Sequence, residues 1–197
     1  MANTNTPFGF RQWSGNGSAP TYEQVAVQIA YNATAIFFGD PVSPDANGNV
    51  IISPSSSGST DVQIAGVFVG CTYLSTSQKR IVWSNYWPGT DVASNQVVTG
   101  YIINDPNAKF LVQTDATGAV QGNVNNTVGF TTGAGNTNNG LSTTFLNMAT
   151  AGLDATEPFR IVSLVTQPPG SNGTDAGAYN YVIVAFNNVS TKSLVGI

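Results

Sequence analysis

The sequence predicts an all-β fold, a β-barrel or sandwich with an extended N-terminal arm and long loops. Short apolar runs repeat with a period of two, Gly, Pro, Asn and Asp punctuate them, and the runs are rich in Val, Ile and aromatic residues. At 197 residues the chain can bury a core without staples, as one domain or a domain with an arm.

Residues 1–20 form the arm. They combine the small residues Ser14-Gly15-Asn16-Gly17-Ser18-Ala19-Pro20 with isolated Phe8, Phe10 and Trp13, and have no sustained period. Rings this large are a liability in water, so the arm either folds back on its own domain or docks on a neighbouring subunit. Residues 21–197 form the barrel domain, with room for a second small β-subdomain from about residue 116. From Glu23, Val25, Val27, Ile29 and Tyr31 alternate with Ala26, Gln28, Ala30 and Asn32, which reads as a strand even though Thr21-x-x-Gln24 resembles a helical capping box. Ala35-Ile36-Phe37-Phe38 then meets Gly39-Asp40-Pro41-Val42, where Pro41 removes a ladder donor and marks an edge or a strand end.

Asn47-Gly48 between Val42 and Val50 signals a hairpin. Beyond a serine-rich loop at 53–60, residues 64–71 form a continuous apolar strand. Gly66 and Gly70 inside it imply tight curvature or close backbone approach. Further strands read at 80–83, 96–104, 109–114, 159–166 and 178–186. The stretch 118–140 has few large apolar residues and reads as a long excursion, the place to look for a partner contact.

Composition narrows the function. Six basic and 10 acidic residues give a net charge of −4, and charged residues are only 8% of the chain. Asn, Thr, Ser and Gln total 69 residues, so the surface is polar but not ionic. So few cations argue against nucleic acid as the main ligand, because phosphate neutralisation supplies most of that affinity. An apolar fraction of 41% argues against disorder. No run approaches the ~18 apolar residues of a membrane span. The first residues carry no basic start or apolar stretch, so no secretory signal and no membrane partner are expected. Five Asn-x-Ser/Thr matches, at Asn16, Asn32, Asn125, Asn172 and Asn188, are expected by chance in such a composition.

Nor do the residues assemble an enzyme. Histidine, the commonest general base, is absent, so most triads fail. Cys71 lies in an apolar strand and reads as a core residue, with no partner for a disulfide. The acids are scattered singly in turn contexts, which supports neither a glycosidase pair nor a calcium loop. Gly133-Ala134-Gly135 lacks the helix and lysine of a phosphate loop. No catalytic residue, metal or cofactor is expected. The segment that stands out is Trp83-Ser84-Asn85-Tyr86-Trp87-Pro88-Gly89, whose rings could cap the barrel, stack on sugars or anchor an interface.

The runs Ala35-Ile36-Phe37-Phe38-Gly39-Asp40-Pro41-Val42, Ile64-Ala65-Gly66-Val67-Phe68-Val69-Gly70-Cys71, Trp83-Ser84-Asn85-Tyr86-Trp87-Pro88-Gly89 and Ile103-Asn104-Asp105-Pro106-Asn107-Ala108-Lys109-Phe110 together resemble the head decoration, or capsid cement, proteins of tailed bacteriophages. The resemblance spans about residues 7–115. It implies a β-rich virion structural protein without catalytic activity, made in the host cytoplasm and placed on the capsid exterior. The implied partners are two further copies of itself, as a homotrimer, and the major capsid protein. The candidate interface residues are Phe8, Phe10, Arg11 and Trp13 as anchors on a neighbouring chain, then Trp83, Tyr86 and Trp87. The alternative is a carbohydrate-binding β-sandwich of a phage tail or surface adhesin, with Trp83, Tyr86 and Trp87 as its stacking platform.

Overall fold

The computed structural model describes residues 3–14, 24–56, 63–165 and 175–192. Residues 1–2 and 15–20 of the arm, the capping-box position Thr21 with Glu23, positions 57–60 of the serine-rich loop, Thr166 and Asn172 lie outside the described residues. The strands are β1 (Arg11–Ser14), β2 (Val25–Ile29), β3 (Pro41–Pro44), β4 (Val50–Ile52), β5 (Gly66–Ser75), β6 (Arg80–Ser84), β7 (Val98–Ile103), β8 (Lys109–Gln113), β9 (Thr127–Thr131), β10 (Phe145–Gly152), β11 (Phe159–Leu164) and β12 (Tyr181–Phe186). One 3-10 turn covers Gln121–Asn123, and no α-helix occurs among the described residues.

Two sheets result. Strands β3, β4, β2, β7 and β5 pair in that order, and β5 pairs back to β3, which closes a five-stranded barrel. Strand β6 joins the second half of β5, beyond the β3 pairing. The other sheet is antiparallel, in the order β1-β8-β12-β11-β9-β10. Pro41 opens β3, where its missing N–H leaves the ladder intact. Between β3 and β4, Asp45 accepts the Asn47 and Asn49 N–H groups, the turn chemistry that its position suggests.

A bulge between Phe68 and Gly70 decides how β5 is used. Before it, Phe68 points into the barrel while Val67 and Val69 face the second sheet. After it, Cys71 and Tyr73 point inward and Thr72 and Leu74 face outward. Val67, Ile103 and Ile64 thereby join the aromatic core of the second sheet, where Phe10, Phe110, Phe130, Phe159 and Phe186 pack. The wall around Val67 and Ile103 is thus packed against the sheet, whereas among the described residues Leu74, Ile81, Trp83 and Val97 of the same wall are exposed. Gly66 fits the expected close approach, since a Cβ there would lie 2.5 Å from the Ile103 carbonyl oxygen.

The described part of the arm folds back on its own domain. Strand β1 pairs with β8, with Arg11 opposite Leu111 and Gln12 opposite Phe110. Ahead of it, the Asn3 side-chain amide donates to the Asp175 and Ala178 carbonyls, and Gln113 donates to the Thr4 carbonyl. The segment 118–140 departs from the expected excursion, because β9 lies within it and buries Val128 and Phe130. Strand β9 is covered on both faces, so its residues carry no alternation to betray it. Residues 133–140 do form a loop, with Gly135 against the Phe37 ring.

Candidate interaction surface

The exposed part of the barrel wall carries an apolar face. Across the β5–β6 hairpin, Leu74 stands opposite Ile81 and Thr72 opposite Trp83; on the other flank Thr72 stands opposite Thr99 of β7. Val97, one residue ahead of β7, continues the outward alternation of Thr99 and Tyr101. Ile81 is 75% exposed, Trp83 63%, Val97 62% and Leu74 43%. Contiguous apolar surface of this kind marks an interaction site more often than an isolated exposed side chain does. The Trp83 ring lies against Gly70, where a Cβ would meet it at 2.9 Å, so the missing side chain makes room for the indole.

The tip of this hairpin is stiff. Asp91 accepts the Ser75 hydroxyl at 2.5 Å, the Thr76 hydroxyl at 3.0 Å and the Ser77 N–H at 2.8 Å. The Ser75 hydroxyl first, then the Ser77 N–H, hold its carboxyl down at about 2 although it sits in solvent. Arg80, the charged residue of β6, donates through Nε and Nη2 to Gln78 at 3.0 and 2.8 Å, which draws its guanidinium toward the turn.

The seven candidate interface residues separate. Trp83 lies at the centre of the exposed face. Tyr86 stacks on Phe37, with centroids 5.4 Å apart and planes 2° apart, and is half-buried. Trp87 is fully buried in the barrel, edge-on to Tyr73, with its indole N–H donating to the Ala33 carbonyl. The three rings therefore do not form one platform. In the arm, Phe10 is buried and stacks on Phe159 at 4.3 Å, so it is a core residue and not an outward anchor. Phe8 packs edge-on against Tyr181, Arg11 lies 4.6 Å over the Phe8 ring, and Trp13 is 46% exposed. Ile81, Leu74 and Val97 were the residues missing from the sequence-based set. The alternation of 80–83 held the signal, since a strand with apolar side chains on both faces must expose one of them unless it is sandwiched.

Polar groups in the interior are occupied by structure. Asp40 is buried and accepts the Phe37 N–H, the Ser142 hydroxyl and the Thr144 hydroxyl, tying the barrel to the loop before β10. Desolvation raises its pKa, and those three hydrogen bonds oppose the rise. Glu157 accepts the Ser56 hydroxyl. Burial pushes the Cys71 thiol up to about 12, far from a thiolate nucleophile. A cavity of about 450 Å³ opens at the seam between barrel and sheet; among the described residues its lining is largely aromatic and aliphatic, and Arg11 is its charged member. No group of three or more metal-ligating side chains comes together among the described residues. No family model matches the sequence, and no curated protein or solved structure is significantly similar to it.

Proposed function

We propose that the chain is a virion structural protein, a decoration or cement protein that binds the outside of a phage head as a homotrimer and stabilises the major capsid protein lattice. The observation that carries this is the apolar face of Leu74, Ile81, Trp83 and Val97, whose charged neighbours Lys79, Arg80 and Asp91 lie at the hairpin tip. A Trp anchor among apolar neighbours, with the charges kept to the hairpin tip, suits a protein contact, where unpaired buried charges are expensive. The sparse charge of the whole chain suits a molecule touched by neighbours on several sides, and repeated attachment to a lattice turns modest contacts into firm holding. On this account the protein works without catalysis, cofactor, nucleic acid or membrane, on the capsid exterior after synthesis in the host cytoplasm.

The glycan-binding alternative draws on the same exposed indole. It is weakened because Trp87 lies in the barrel core and Tyr86 lies against Phe37, which leaves one ring where a platform needs several. Co-sedimentation with heads of the encoding phage, stripped of this protein, tests the proposal. Saturable binding weakened by Trp83→Ser is expected. Absence of binding to heads, with Trp83-dependent binding to a glycan, would replace the proposal with the adhesin.

A further inference from the structure

From the geometry of β6 we infer that this strand pairs, antiparallel and about a twofold axis, with β6 of a second copy of the chain. Among the described residues no strand pairs with its far edge, so one row of backbone N–H and C=O groups is left without a ladder partner. Natural edge strands are usually blunted by a charge, a proline, a bulge or a covering element. Among the described residues none of these interrupts β6 from Ile81 to Ser84: it holds no Pro, its pairing with β5 runs without a register shift, and the charges, Lys79 and Arg80, stand at its start, where Arg80 turns toward Gln78. Its outward side chains, Ile81 and Trp83, are instead the large apolar ones.

The occupant follows from the strand's own sequence, Arg80-Ile81-Val82-Trp83-Ser84. Antiparallel pairing of two identical strands must be centred on a residue, since a centre between residues would set an outward side chain against an inward one. A centre at Val82 pairs all five residues. It sets Ile81 of each copy opposite Trp83 of the other, the aromatic–β-branched pairing that favours antiparallel strands, and Arg80 opposite Ser84, keeping the two arginines apart. Centres at Ile81 or Trp83 pair fewer residues, and the first sets two isoleucines opposite each other while Trp83 meets Lys79. The strand is thus complementary to itself in one register. Leu74 and Val97 extend the shared apolar face on both copies.

This inference does not rest on the capsid proposal, although both use Trp83, and native mass reads it without phage heads. In a trimer each copy keeps one β6 edge, so the same pairing links trimers to one another. The native mass of the full chain, measured by light scattering over a range of concentrations, tests the association. A species at about 41 kDa, twice the 20.5 kDa chain, or at six or more times the chain mass if trimers form, is expected, and Ile81→Lys with Trp83→Lys should return it to one or three chains. Masses confined to one or three chains, or a larger species untouched by the double substitution, would overturn the inference. Register is tested by mixing Ile81→Cys and Trp83→Cys chains, each also carrying Cys71→Ala, under mild oxidation. Residues directly opposite on antiparallel strands stand at disulfide distance, so the mixed 81–83 disulfide should dominate. Predominance of 81–81 or 83–83 disulfides would overturn the register.

Discussion

Replacing Phe10 by alanine separates a core residue of this chain from an anchor on another. Its ring is buried, stacks on Phe159 at 4.3 Å, and meets Phe110 and Phe130 edge-on at 6.4 and 6.2 Å. Truncating a buried phenylalanine costs about 3–5 kcal/mol, because the transfer free energy of the ring is lost and a cavity remains. Loss of the ring pairs belongs within that range. At a urea slope of ~2 kcal/mol/M the midpoint should fall by ~2 M with the slope unchanged. The transition can be followed by the fluorescence of buried Trp87. Trp13→Ala, at a half-exposed site on β1, should cost below ~1 kcal/mol in the same assay. A Phe10→Ala midpoint within ~0.5 M of wild type would refute the packing described for the arm. It follows that deleting residues 1–20 removes a core ring and the edge strand β1, and so lowers the stability of the isolated chain.

Other consequences concern titratable groups. Burial raises the Asp40 pKa, so the folded chain keeps a proton over a window in which the unfolded chain releases it. Stability from this group therefore declines as pH rises above the ordinary aspartate value, and Asp40→Asn should flatten that decline in urea midpoints measured from about pH 4 to about pH 7. An unchanged slope would contradict it. Asp91 behaves oppositely: its depressed pKa gives support that is present above the ordinary value and lost as pH falls through about 2. Asp91→Asn should speed hydrogen exchange at the Ser77 amide, which donates to the Asp91 carboxylate; equal exchange at Ser77 in both proteins would contradict it. Cys71, with its thiol pushed up to about 12, should react with a thiol reagent only on unfolding, and rapid labelling of native protein would show the site to be open.

The strands that alternate or run apolar between turn residues were legible in the sequence. Val25 to Ile29, the Asn47-Gly48 hairpin, the apolar run into Cys71 and the edge run from Arg80 all correspond to strands. Both interior glycines of β5 mark close approaches, to Ile103 and to Trp83. Strands β1, β9 and β10 were not legible, each for a physical reason. Strand β1 is four residues long and depends on β8 for its shape. Thr127-Val128-Gly129-Phe130 is buried on both faces and so has no polar phase. Strand β10 is interrupted by a register shift between Asn147 and Gly152, which blurs its period. The candidate surface was legible as an aromatic cluster but not in its composition. Trp83, Tyr86 and Trp87 lie within five positions, yet their fates depend on the strand end at Ser84, beyond which the chain turns back to bridge Ile36 and carries Trp87 into the barrel.

Heat-induced DNA release from phage heads tests the central claim most directly, because a cement protein must resist the pressure inside the shell. Heads stripped of this protein and then saturated with it should release their DNA at a higher temperature than stripped heads, and the Trp83→Ser chain should restore less of that resistance at equal concentration. Release at the same temperature with and without bound protein would contradict the cement role.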